Sequence, residues 1–186
     1  MGITLCGLFA LTEDHTHVDE AIILFTNVLQ LRPAGHSDRG SACENLALAQ
    51  LSRALKHKDR ELFYDSVRLL KEGTAVQSTH NETLRRLCVA LVGAFGSWYQ
   101  ATGDASRLLE AMSLAQRAVR LAPADSAEHI DSRHALAMIL RLLGSHENDQ
   151  TILEESGRLY RDILSLRPVG HPQHADIFQE YVVLSL

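Results

Sequence analysis

VDEAIILFTNVLQLRPAGHSDR, Val18 to Arg39, is the stretch that decides the fold. It reads as an amphipathic helix stopped by Pro33, a short turn at Gly35 and the start of a second helix. The pattern recurs as LEESGRLYRDILSLRPVGHPQH from Leu153. It recurs more loosely as LLEAMSLAQRAVRLAPADSAEH from Leu108, and faintly as FYDSVRLLKEGTAVQSTHNETL from Phe63. The starts fall at 18, 63, 108 and 153, so each step is 45 residues. A fixed period of this length marks stacked helical units, none of which can bury its apolar face alone. The expected organisation is a single repeat array over residues 1–186. Its units run at about 18–62, 63–107, 108–152 and 153–186, the last incomplete, with 1–17 the remnant of a preceding unit.

The period turns the sequence into columns. Asp14, Asp59, Asp104 and Asp149 each precede an apolar-periodic segment, where a carboxylate accepts from free N–H groups at a helix start. Glu20, Asp65, Glu110 and Glu155 fall in first turns, favoured by the helix dipole. Capping accounts for both columns without a metal. Ala21, Ser66, Ala111 and Ser156 are small, which lets a neighbouring helix approach. Leu24, Leu69, Leu114 and Leu159 are all leucine, and Leu31, Val76, Leu121 and Leu166 are aliphatic. The spacing 21, 24, 28, 31 assigns these columns to the core face of the first helix in each unit. Pro33, Pro123 and Pro168 end that helix, whereas the second unit has Ser78 and a less defined turn. Second helices are expected to begin near Ser37, Asn81, Asp125 and His171, with Pro172 at a first helical position. Leu46, Leu91, Leu136 and Tyr181 align on them, and Phe95, Trp98 and Tyr99 read as core.

Composition excludes several classes. The net charge of −5 supplies no basic field for nucleic acid. No run approaches the ~18 apolar residues of a membrane span. The opening MGITLCGLFAL lacks the basic flank and cleavage site of a signal peptide, and Cys6 stands where a myristoylation motif wants Ser or Thr. Cys6, Cys43 and Cys88 lack metal-ligand spacing and read as buried thiols of a reducing, cytoplasmic compartment. Met1 aligns with Leu46, and FQEYVVLSL ends inside a second-type helix. Both termini are apolar, where arrays finish in polar caps. The expectation is a segment of a longer array, or a chain that self-associates through uncapped ends.

The columns resemble a known family. DEAIILFTNVLQLRP, Asp19 to Pro33, looks like the second helix of a tetratricopeptide repeat. It has a small residue at Ala21, large apolar residues at Leu24 and Phe25, and proline at Pro33. ENLALA, Glu44 to Ala49, resembles the first helix of that repeat, with Leu46 and Ala47 at the family's Leu-Gly pair. The longer unit, with Gly170-His171-Pro172 as its complete turn, is similar to kinesin-light-chain-like repeats. It is closer still to repeat arrays of large fungal proteins, which often accompany caspase-like or nucleotide-binding domains. The resemblance implies an all-α fold, a right-handed superhelical solenoid of antiparallel helix pairs, with the ENLALA-type helices lining a concave groove.

With Leu46 as the buried reference, the groove-facing positions become Ser41, Glu44, Asn45, Leu48, Arg86, Val89, Ala90, Asp131, His134, Met138 and Arg141. Asn45 matches the asparagine that holds a bound peptide's backbone in many relatives. A second surface is a basic stripe of Arg68, Lys71, Arg117, Arg120, Arg158 and Arg161, part of it explained by local pairs with Asp65 and Glu155. The ten histidines invite a metal or acid–base reading. No H-E-x-x-H, G-x-S-x-G or phosphate-binding glycine loop accompanies them, and His36 and His171 sit at equivalent turns. The expected function is a protein-interaction scaffold that takes a peptide or protein segment in the groove, with no catalytic role and no cofactor. The alternatives are a regulatory or oligomerisation array whose effector domain lies elsewhere, and a histidine-based metal hydrolase.

Overall fold

The computed structural model describes residues 15–75, 81–124 and 126–185. Among them are eight α-helices and no strand: α1 His15–Gln30, α2 Arg39–His57, α3 Arg60–Ala75, α4 Asn81–Thr102, α5 Leu108–Leu121, α6 Ala127–Glu147, α7 Gln150–Leu166 and α8 His174–Val182. The chain is all-α. Each helix packs on the next, and α2 also packs on α4, and α4 on α6. The even-numbered helices α2, α4 and α6 therefore form a layer of their own. No helix among the described residues is long and apolar enough to cross a membrane.

The ends of the helices follow local chemistry. α1, α5 and α7 stop at Gln30, Leu121 and Leu166, just before Pro33, Pro123 and Pro168. Gly35 and Gly170 then take φ of +92° and +103°, a region costly to residues with a Cβ. In these two turns the histidines do the same work. His36 Nδ1 accepts from the Asp38 N–H at 3.1 Å, and His171 Nδ1 from the Gln173 N–H at 3.2 Å. Three periods apart, the Arg39 guanidinium and the His174 ring each reach back to the carbonyl that opens the turn, of Arg32 and Arg167 respectively. The turn at Ser78 lies outside the described residues, as do Asp14, Cys6 and the opening segment. The second helix of the second unit begins at Asn81 as expected, and the others begin a little later than expected, at Arg39, Ala127 and His174. Pro172 consequently sits in the turn and not at a first helical position.

The aspartate column behaves as caps where it is described. Asp149 accepts from the Thr151 and Ile152 N–H groups at 2.8 and 3.3 Å, and Asp59 from the Leu62 N–H at 3.0 Å. Asp104 differs. It accepts from the Ser106 N–H at 3.1 Å and so caps the short turn before α5.

The core face is rotated from the expected one. Ala21, Ser66, Ala111 and Ser156 are fully buried as expected, and the Ser156 hydroxyl donates to the Ala137 carbonyl at 2.7 Å, a contact only a small residue permits. Leu24, Leu69, Leu114 and Leu159, however, are only half-buried, and Leu31 and Leu166 are exposed. The residue after each leucine is the buried one: Phe25, Leu70, Ala115 and Tyr160. At about 100° per residue, positions 18, 21, 25 and 28 share an arc, whereas 24 and 31 fall some 80–100° from its centre. On the second-type helices, Leu46 and Leu91 are buried but Leu136 and Tyr181 only half-buried. Phe95 and Trp98 are core, with Trp98 stacked on Phe63 at 4.3 Å between centroids and 13° between planes, while Tyr99 is half-buried.

Candidate functional site

A groove of about 470 Å³ crosses the layer formed by α2, α4 and α6. Its walls come from equivalent turns of the three helices: Glu44 and Leu48 from α2; Arg85, Arg86, Val89, Ala90 and Gly93 from α4; Asp131, His134, Ala135 and Met138 from α6. Gln173, just ahead of α8, closes one end. These helices can supply one continuous surface because positions 45 apart point the same way from neighbouring, packed helices. Leu48, Gly93 and Met138 form one such row along the floor. Gly93 leaves a gap in that row: a Cβ built there meets no atom within 4 Å.

Eight of the eleven positions expected to face the groove, Glu44, Leu48, Arg86, Val89, Ala90, Asp131, His134 and Met138, line it. Ser41, Asn45 and Arg141 do not. Ser41 is half-buried one turn ahead of Glu44, and Asn45 is half-buried and rotated about 100° from it. Arg141 lies on the His134 face two turns further on, in a separate cleft with Gln100, Asp176 and Glu180. Arg85, Gly93, Ala135 and Gln173 complete the groove. The signal for Gly93 was present in the columns, since it lies three residues from Ala90 on the same helix face and stands in register with Leu48 and Met138.

The charges around the groove are paired, and all the pairs but Glu82–Arg85 tie together separate elements of the chain. Glu44 is 7% exposed and holds Arg86, which is 45% exposed, through two bonds, one of 3.2 Å. Arg167 is 5% exposed and holds Asp131, 44% exposed, at 2.5 Å. Both pairs bury one member and present the other. His134 Nε2 meets Glu180 Oε2 at 2.9 Å, and the Tyr160 hydroxyl donates to the same oxygen at 2.8 Å, so three helices converge on one carboxylate. Arg85 is fixed by Glu82 at 2.7 and 2.8 Å and donates to the Ser132 hydroxyl at 3.3 Å.

Burial pushes the Glu44 carboxyl above its ordinary value, and the Arg86 charge only partly offsets this. Burial also acts upward on Glu180, but the bond and charge of His134, with the Tyr160 hydroxyl and Arg141, carry it below the ordinary value. Glu82 is held low chiefly by its hydrogen bonds from Arg85. The Tyr160 hydroxyl is pushed up by burial and then by the Glu180 charge. Cys43 is buried and its thiol is pushed up to about 11, first by burial and then by Glu72; burial also raises Cys88. Both are held as neutral thiols.

Three cations of the basic stripe are held in ion pairs. Arg68 pairs with Asp65 at 2.9 Å and Lys71 with Glu110 at 2.6 Å. Arg158 pairs with Glu154, one turn back, at 3.9 Å, and not with the expected Glu155. Among the described residues no three His, Cys, Asp or Glu side chains converge as a metal site requires. No protein-family model matches the chain, and no curated protein and no solved structure was found to be similar to it.

Proposed function

We propose that the chain is a protein-interaction module of the tetratricopeptide-like kind. It takes an apolar peptide segment in the groove across α2, α4 and α6. The observation that carries the reading is the groove itself: an apolar floor of Leu48, Val89, Ala90 and Met138 left open between packed helices, its rim charges already satisfied. A groove with satisfied charges and an open apolar floor gains most by burying an apolar side chain. The recurrence of cap and turn chemistry at a 45-residue step supports a right-handed superhelical solenoid of antiparallel pairs. The module has no catalytic role in this reading, and its cytoplasmic setting rests on the cysteines held as thiols.

The test is selection of peptides from a displayed random library on the purified protein, followed by titration of the selected peptides. A Cβ at position 93 meets no atom within 4 Å, so Gly93→Leu should fill the gap, abolish binding and leave the melting curve intact. Arg120→Glu, on the exposed face of α5, should leave binding unchanged. Peptides that bind Gly93→Leu as tightly as the parent would place the site elsewhere.

One observation favours a second reading, self-association. Phe178, Val182 and Val183 are exposed on α8 and the turn that follows it, whereas Ala47, Val92 and Ala137, the column of Val182, are fully buried by helix packing. A second copy covering this face would give a dimer by light scattering that Phe178→Glu dissolves. A strict monomer at high concentration would dismiss it.

A further inference from the structure

The two ion pairs at the groove rim are asymmetric in opposite senses. On α4 the cation, Arg86, faces outward over a buried anion. On α6 the anion, Asp131, faces outward over a buried cation. Arg86 and Asp131 occupy the same position of successive units, and both line the groove. Since α4 packs on α6, they stand about one helix spacing apart, ~8–10 Å. The rim is therefore bipolar, with the Gly93 gap and the Ala90 and Ala135 floor beside it.

The rim spacing suits an extended chain. In a polyproline-II segment, with three residues per turn and ~3.1 Å per residue, residues i and i+3 lie on one side, ~9 Å apart. That matches the one-helix spacing, ~8–10 Å, between the packed helices that carry Arg86 and Asp131.

Resting on the reading of the groove as the binding site, we infer that its partner is an extended segment carrying an acidic residue that faces Arg86 and, three positions away, a basic residue that faces Asp131. A bulky apolar side chain between the two fills the gap over Gly93. The outward charges select the segment and set its direction, and the apolar side chain supplies most of the affinity.

The experiment uses four labelled twelve-residue peptides, flanked by Gly and Ser, titrated against the full chain by fluorescence anisotropy at low salt. Two carry the cores Glu-Leu-Pro-Arg and Arg-Leu-Pro-Glu, to sample both chain directions. The third replaces both charged residues by Ser, and the fourth replaces Leu by Ser. One direction should bind. Removing both charges should weaken it roughly three- to tenfold, as should raising the salt, and removing Leu should abolish it. Asp131→Asn and Arg86→Gln should each weaken the charged peptide more than the charge-free one, with melting curves recorded for both variants. The inference is overturned if the charge-free peptide binds as well as the charged one. It is also overturned if a helix-stapled version binds more tightly, or if no peptide of the set binds below about 1 mM. Loss of the charge effect with binding still blocked by Gly93→Leu would sink this inference alone. Binding that survives Gly93→Leu would sink the groove reading itself.

Discussion

Lys58, Gly103 and Asn148 close α2, α4 and α6 in left-handed backbone, with φ of +52°, +77° and +55°. They stand one period apart, so the fold demands the same unusual conformation three times and is served by three different residues. Glycine takes it freely and asparagine tolerates it, but lysine carries the Cβ penalty of roughly 1–2 kcal/mol. Lys58 is exposed, and its backbone N–H reaches the Ala54 carbonyl as a cap should, so the position is set by the helix end and not by the side chain. Lys58→Gly should therefore stabilise the protein by about 0.5–1 kcal/mol, less than the full penalty because glycine also loosens the unfolded chain. Gly103→Ala should destabilise by about 1 kcal/mol. Urea denaturation midpoints measure both. An unchanged midpoint for Lys58→Gly would mean that the strain is relieved elsewhere. The residues of this column are chemically unlike, which is why the sequence alone concealed it, whereas the aspartate that follows each of them announced itself.

At the scale of the helix, period and boundaries could be read because they depend on local chemistry: prolines, caps and the recurrence of small residues. The phase of the core face could not. Leucine at 24, 69, 114 and 159 is uniform, and uniformity in an apolar residue passes for burial. The buried column is Phe25, Leu70, Ala115 and Tyr160. Its side chains range from a ring at Phe25 and Tyr160 to a methyl at Ala115, so no uniform residue marks it. This sets an expectation for substitutions. Leu70→Ala removes a fully buried side chain and should cost roughly 2–5 kcal/mol. Leu114→Ala trims a half-buried one at the edge of the same core and should cost about 1–2 kcal/mol. Equal losses in thermal or urea unfolding would restore the leucine column to the core and contradict the rotated face.

For the molecule as a whole, the groove positions were legible as columns, but the partners of its charges were not. Arg167 and Glu180 meet Asp131 and His134 only once α7 and α8 have folded against α6, and no spacing rule connects them. Those tertiary pairs shape the response to acid. Glu180, Glu82 and Asp104 have folded values below the ordinary carboxylate ones of 4.5, 4.5 and 3.8. A lowered group binds its proton more weakly in the folded state. Its contribution is fully present above the ordinary value and is lost as pH falls through the lowered one. Glu44 has the opposite sign, because its raised folded value favours the protonated form. Its ionisation opposes folding above that raised value, and the opposition disappears as pH falls below the ordinary 4.5. Stability should therefore decline below about pH 4.5, where three carboxylates outweigh one. Glu180→Gln should be less stable than the parent at pH 7 and decline less steeply in acid, since one acid-sensitive tether between α6, α7 and α8 is gone. Glu44→Gln should do the reverse in slope, declining more steeply than the parent because the one compensating group has been removed. Urea midpoints of the three proteins at pH 7, 5, 4 and 3.5 decide the matter. Parallel curves for parent and Glu44→Gln would mean that Arg86 fully offsets the burial of Glu44 and that this ion pair does not titrate with folding.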